Sequence, residues 1–269
     1  MTAAPKNIVW IASYPKSGNT WVRFMACNLL YGRQESAAAL ASLAPDIHEM
    51  NVAAGAPAGL LKTHFAFSPS LPYVDRTAAV IYVVRDPADV LTSNFFYAQR
   101  SAQRSADSPA AFSDYFETFV ENRGDPRWAG LGMGSWEHNV RSWLKTAHGF
   151  PVLPLRYEDL SADPASACRA LATLLRPHST ADDIEQAVAN SSYSRMREIE
   201  RSDIREKRVG IFYKPYLQTA IDSGARFMRR GVVGDGAARL TADQRARLHA
   251  RFEPLLRELG YSTEQPRAI

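Results

Sequence analysis

The 269-residue chain has only two cysteines, Cys27 and Cys168. That is too few for a disulfide-built secreted scaffold. Each lies in a helix-like setting that suits a reduced buried thiol, with a single bridge left open. Long apolar runs are also missing. Met1–Lys6 is short and polar, and the following Ile8–Ala12 is far too brief for a signal-peptide core or a membrane span. The expectation is a cytoplasmic protein with no membrane partner. No Cys/His spacing of a metal site occurs, nor a clear acidic strand end suited to a Walker-type magnesium site, so no metal is expected. There is no internal repeat and no long basic tract. A net charge of +4 and a pI near 9.1 suit a small anionic ligand. Without a basic tract they give little reason to expect a nucleic-acid partner. At 46% hydrophobic, the chain can bury a substantial core, and its length fits one α/β domain, residues 1–269, carrying insertions.

What is present concentrates in Ile8-Val9-Trp10-Ile11-Ala12-Ser13-Tyr14-Pro15-Lys16-Ser17-Gly18-Asn19-Thr20-Trp21: an apolar strand, a small polar loop with one lysine, then a helix start. This arrangement aims unpaired backbone N–H groups and the positive helix end at one point, which favours a phosphate or a similar oxyanion. Against the G-x-x-x-x-G-K-[ST] phosphate loop, Thr20 and Gly18 fit, Ser13 replaces the first glycine, and Asn19 replaces the lysine. The cation has moved to Lys16, before the glycine, so it enters from the loop and not from the helix start that holds β/γ-phosphates and magnesium. Trp21 adds a flat face on which a purine can stack.

A second apolar run, Ala78–Val84, ends in Arg85. Asp86 and Pro87 then supply a cap and a first-turn residue for a helix on which Ser93 lies two turns along. An arginine fork at a strand end near a helical hydroxyl suits a phosphate monoester; on its own, Arg85 would sooner pair with Asp86 or Asp89. Gly59–His64 reads as another strand, delivering His64 to the carboxyl edge of the same sheet, where ligands bind in open α/β folds. An imidazole there is an available base near neutral pH. The remaining histidines, His48, His138, His148, His178 and His249, have no such setting and read as surface or structural residues. Downstream, Phe227–Asp235 contains Arg229-Arg230-Gly231, a mobile-looking basic turn able to close over an anion.

Taken together, these segments resemble the PAPS-dependent sulfotransferase family, whose cytosolic members carry Y-P-K-S-G-T-T-W; here residues 14–21 differ only at Asn19. The resemblance runs in order from residue 8 to about 236. It implies the donor 3′-phosphoadenosine-5′-phosphosulfate (PAPS), leaving PAP, with its 5′-phosphosulfate held by Lys16, Ser17, Gly18, Asn19 and Thr20. It implies the 3′-phosphate on Arg85 and Ser93, with Arg229, Arg230 and Gly231 also binding the donor. Softer matches are Tyr157, after a strand, and Ser191-Ser192-Tyr193 with Met196, similar to the family's T-S-F-x-x-M near the adenine. The family's K-T-H agrees with Lys62-Thr63-His64. His64 is then the catalytic base in an in-line transfer to the hydroxyl of a small phenol, alcohol or natural product, Lys16 stabilises the leaving oxygen, and Lys62 assists at the sulfuryl group. The third motif, R-K-G-x-x-G-D-W, departs at Arg230 and at Gly236, where tryptophan is usual.

The periodicity predicts strands near 7–13, 59–64, 79–85 and 151–156. Helices are predicted near 18–31, 87–100, 135–147, 165–176, 181–190 and 241–259, the last bent at Pro254. This is an α/β order, a three-layer P-loop-like fold with a mostly parallel central sheet flanked by helices. Irregular stretches near 32–58 and 101–134 are expected to shape the acceptor entrance, and 200–236 to close on the donor. Aromatics at helical spacing in Asp114–Val120 point to packing. A nucleotide kinase and a non-catalytic adenine-nucleotide-binding protein are the alternatives, and a homodimer is left open.

Overall fold

The computed structural model describes residues 5–50, 58–102 and 108–261. The tips of the two expected insertions, 51–57 and 103–107, fall outside the described residues. The apolar runs form four strands: β1 (Ile8–Ser13), β2 (Gly59–Thr63), β3 (Thr77–Val84) and β4 (Val152–Arg156). All pair in parallel in the order β2-β1-β3-β4, with Ala12 opposite both Thr63 and Tyr82. Their carboxyl ends therefore share one edge, and the chain leaves that edge at Tyr14, His64 and Arg85.

The helices are α1 (Asn19–Tyr31), α2 (Ala38–Leu43), α3 (Pro87–Ser101), α4 (Pro109–Glu121), α5 (Pro126–Ala129), α6 (Trp136–Leu144) and α7 (Tyr157–Ala162). They continue with α8 (Pro164–Leu175), α9 (Ala181–Asn190), α10 (Tyr193–Arg205), α11 (Gln218–Asp222), α12 (Asp235–Arg239) and α13 (Ala242–Glu258). The two-residue period of β1 and β3 sends alternate side chains to opposite faces. Trp10, Ala12, Val80 and Tyr82 pack on one side with residues of α3, α4, α6 and α13. Ile11, Ile81 and Val83 pack on the other with α1, α8, α9 and α10. The result is the expected α/β fold with helices on both faces of a parallel sheet.

Three expectations need correction. The stretch 101–134 holds α4 and α5, because Ser108 caps a helix opened by Pro109 and the buried Phe112, Phe116 and Phe119 share one face. The stretch 200–236, expected to close on the donor, begins with the charged run Arg201–Lys207 packed in place. That run continues α10, where buried Asp203 accepts from Ala37 N and pairs with Arg208, and the preceding Glu200 is fully buried. Strand β3 begins two residues early, at Thr77, whose hydroxyl accepts a bond from Trp10. Helix α3 starts as its sequence dictates, with the Asp86 side chain accepting from Ala88 N and Pro87 in the first turn. Both cysteines are buried free thiols.

Candidate active site

Between β1 and α1 the chain turns through Lys16 at φ 71° and Gly18 at φ 103°. A left-handed conformation is costly for a lysine, so the loop is held in shape by its surroundings. Gly18 lies against Tyr157, and a Cβ there would come within 2.5 Å of the ring. Trp21 meets the same tyrosine edge-on, centres 5.6 Å apart. The Asn19 side chain does not reach into the loop. Its Nδ2 donates to Ile11 O (3.0 Å) and Ser13 Oγ (3.2 Å), tying α1 back to β1, while its buried Oδ1 has no partner among the described residues. Buried Ser17 Oγ and Trp21 Nε1 have no partner among the described residues.

Lys16 reaches between two rings, 4.5 Å from the centre of Tyr97 and 4.4 Å from that of Phe227. Its pKa is lowered to about 7, first by burial and then by the neighbouring cations Arg100, Arg85, Arg229 and Lys62. Among the described residues no carboxylate forms an ion pair with it. A cluster of cations around a buried lysine is an electrostatic demand for an anion.

Arg85 Nη2 donates to Asp89 (2.9 Å) and to Val232 O (3.0 Å), and its guanidinium stacks 4.0 Å from the Tyr157 centre, while its Nε is buried and unpartnered. Asp89 is the partner that the sequence offered alongside Asp86. Its carboxylate also accepts from Gly234 N (3.0 Å) and Gly236 N (2.7 Å). The basic turn is therefore pinned where a mobile one was expected. Glu200 adds a bond from Phe227 N (2.6 Å), and Tyr193 OH donates to Met228 O and Arg229 O. Arg229 and Arg230 both pair with Asp235, and Gly231 lies on the Tyr193 ring. Gly236 explains its own departure from the family pattern: any Cβ there would sit 2.2 Å from the Ala88 carbonyl, so no tryptophan fits.

At the neighbouring strand end, His64 Nδ1 is 2.8 Å from Ser13 O, which fixes the proton on Nδ1 and leaves Nε2 bare. Asn139 Nδ2 holds the His64 carbonyl at 2.9 Å. Burial, then the charge of Lys62, push the His64 pKa well below 6.5, so the ring is a neutral base. Lys62 is itself engaged by Asp46 at 2.6 Å and is lowered to about 8, mainly by burial.

These elements border one cavity of about 360 Å³, lined by Lys16, Gly18, Asn19, Thr20, Trp21, Lys62, His64, Arg85, Ser93, Tyr157, Tyr193, Met196, Arg229, Arg230 and Gly231. Two expected site residues stand apart: Ser17 is buried behind the loop, and Ser192 spends its hydroxyl as the cap of α10, accepting from Arg195 N. Conversely, His48, set aside in the sequence, lines the cavity, as do Tyr97, Trp128 and Met133. Nothing in their local spacing marks them.

The sulfotransferase domain family model matches residues 6–260. The chain belongs to the sulfotransferase family. This sulfotransferase is 24% identical to Sulfotransferase 1A1 of Rattus norvegicus, over 97% of this chain and 88% of that protein. It is 27% identical to Sulfotransferase 1A1 of Bos taurus, over 90% and 81%. Among solved structures it is similar to mouse sulfotransferase SULT7A1 complexed with PAP, with a TM-score of 0.70, 20% identity and coverage of 96% and 87%. A retinol dehydratase in complex with retinol and PAP gives 0.70, 16%, 98% and 84%. These two likenesses show the shared fold. The enzyme is a sulfotransferase, not a nucleotide kinase, in keeping with an Asn19 side chain turned into the sheet where a phosphate-loop lysine would stand.

Proposed function

We propose that this sulfotransferase works with PAPS as donor and a hydroxyl of a small molecule as acceptor, His64 being the base and the chain acting as a single domain in the cytoplasm. The supporting observation is the convergence of the lysine loop, Arg85 and the 229–231 turn on a cavity that His64 also lines. The residues fit the donor. Side chains at Gly18 or Gly231 would run into tyrosine rings, so the glycines leave a cradle, and Trp21 and Arg85, whose Nε1 and Nε are unpartnered, line it. In this reading the backbone N–H groups of residues 17–20 and Lys16 hold the 5′ end. Arg85, Ser93, Arg229, Arg230 and Gly231 hold the 3′-phosphate, and Trp21, Tyr157, Tyr193 and Met196 enclose the adenine. Ser192, committed as a cap, is dropped from the set.

When bound, PAPS supplies an activated sulfuryl group and a bridging phosphate oxygen that takes up charge as the group departs. His64, with Nδ1–H donated to Ser13 O, presents Nε2 to take the proton of the acceptor hydroxyl. Lys16 stands beside the 5′ end to meet the growing negative charge. Lys62, held by Asp46, contributes to the positive field through its charge more than through a free donor. Tyr97, Trp128 and Met133 give the acceptor an apolar wall.

The test is a screen of hydroxylated acceptors with labelled PAPS, comparing the intact enzyme with His64→Ala. Transfer should fall at least about 10²-fold in the variant while PAP binding holds. Unchanged turnover would remove His64 from this role, and PAP binding without transfer to any acceptor would mark a non-catalytic nucleotide-binding protein.

A further inference from the structure

His48 lies beyond α2 in a segment strapped to β2, with Lys62 N donating to Pro45 O and Ile47 N to Lys62 O. Its own N–H is held by Asp46 at 3.0 Å. Its Nε2 accepts the backbone N–H of His64 at 2.9 Å. A ring nitrogen that accepts is unprotonated, so the neutral imidazole carries its proton on Nδ1. Among the described residues, Nδ1 has no hydrogen-bond partner. The ring packs 4.1 Å from the centre of Phe65 and 6.0 Å from that of His64, and His48 lines the cavity. Lys62, Asp46 and Glu49 are the charged groups around it, and burial with the Lys62 charge lowers its pKa to about 4, keeping it neutral. The two histidines are thus complementary: His64 has a bare nitrogen and His48 an N–H, on rings 6.0 Å apart that line the same cavity.

We propose that His48 Nδ1–H is a specificity-determining donor to the acceptor substrate, and that the enzyme favours hydroxyls with a second oxygen on the adjacent carbon, as in catechols and vicinal diols. The inference rests on His64 being the base. One oxygen gives its proton to His64 Nε2, while its neighbour accepts from His48. A monohydroxylated acceptor leaves the His48 N–H against an apolar surface, and sites built around a hydrogen bond reject ligands that leave it unmade.

The experiment compares wild-type enzyme, His48→Phe and His48→Gln with PAPS and two matched pairs, catechol with phenol and cyclohexane-1,2-diol with cyclohexanol. Comparing each pair across variants cancels intrinsic reactivity. His48→Phe should lower the diol-to-monohydroxyl ratio of kcat/KM about tenfold, through the KM of the diols, leaving PAP affinity unchanged. His48→Gln, whose amide can accept from His64 N–H and still donate, should keep most of the preference. Nitrogen NMR of the PAP-loaded protein should show His48 neutral and protonated on Nδ1. Parallel loss for both members of a pair would mean that His48 only supports the His64 backbone, and would overturn the proposal. An unchanged ratio, turnover of monohydroxyls alone, or a proton on Nε2 would do the same. Wild-type protein that binds PAP yet sulfates nothing refutes the activity itself, a result distinct from all of these.

Discussion

Lys16 is buried beside several cations and forms no ion pair with a carboxylate among the described residues, and binding an anion should therefore change its protonation. Its pKa in the ligand-free protein is about 7, against an ordinary 10.5, chiefly because it is buried and secondarily because Arg100, Arg85, Arg229 and Lys62 surround it. The phosphates of PAP reverse the charge around it and restore the ammonium. From a pKa of about 7, Lys16 is roughly nine-tenths protonated at pH 6 and one-tenth at pH 8, so its proton uptake on binding PAP should climb from about 0.1 to about 0.9 across that range. Titration calorimetry in buffers of different ionisation enthalpy measures this number directly. Lys62, at about 8, adds to the total, so the quantity to examine is the difference between wild-type and Lys16→Met. If the two take up protons equally, or if uptake does not grow between pH 6 and pH 8, the electrostatic reading of the loop is wrong. The same shift has a stability consequence. Because the folded pKa is below the unfolded one, the unfolded chain binds more protons between about pH 7 and 10.5, and the Lys16 contribution makes the ligand-free fold more stable as pH rises through that window.

Since His64 is held neutral well below pH 6.5, the acid limb of kcat/KM should lie below the ordinary imidazole range, and a limb at or above 6.5 would assign the base elsewhere. Arg85→Gln should weaken PAP at least about tenfold more than adenosine 5′-phosphate, measured by calorimetry; equal losses would separate Arg85 from the 3′-phosphate. Gly236→Ala should destabilise the protein by about 1–3 kcal/mol, since the methyl group would press on the Ala88 carbonyl at 2.2 Å and loosen both amide bonds to Asp89. A melting temperature and PAP affinity both unchanged in that variant would show the turn to be less closely seated than described.

The sheet was legible because β1 and β3 are apolar runs with several β-branched residues, and α3 because Asp86-Pro87 carries its own start signal. That Lys16, Gly18, Arg85 and Gly231 would meet at one cavity was legible for a related reason: they stand close to strand and helix ends, so local spacing marks them. The proposed acceptor side is assembled differently. His48, Tyr97, Trp128 and Met133 come from four separate segments and meet only through tertiary packing, as when Trp128 Nε1 donates to Asn94 on α3. Ser192 shows the converse error. A hydroxyl at a familiar position was read as a ligand contact, while the helix start beside it, which claims that hydroxyl, gave the stronger local demand.

The three segments proposed to bind the donor are separate in the sequence but mechanically one unit in the fold. Tyr157 carries Gly18 on one part of its ring and the Arg85 guanidinium 4.0 Å from its centre, so the lysine loop and the arginine cannot shift independently. Asp89 joins that arginine to the glycine turn 145 residues away, giving one oxygen to Arg85 and Gly234 N and the other to Gly236 N. Its buried charge would be expensive unpaired, and these three donors satisfy it. A cavity tied in this way has already met much of the ordering cost that a loose basic turn would add to donor binding. Glycine at position 236 is what permits the tie, because only a residue without a side chain brings the turn's amides within reach of the Asp89 carboxylate at the start of α3. Where the family pattern has tryptophan, this chain therefore has a close approach of backbone to helix, held by two hydrogen bonds to a carboxylate.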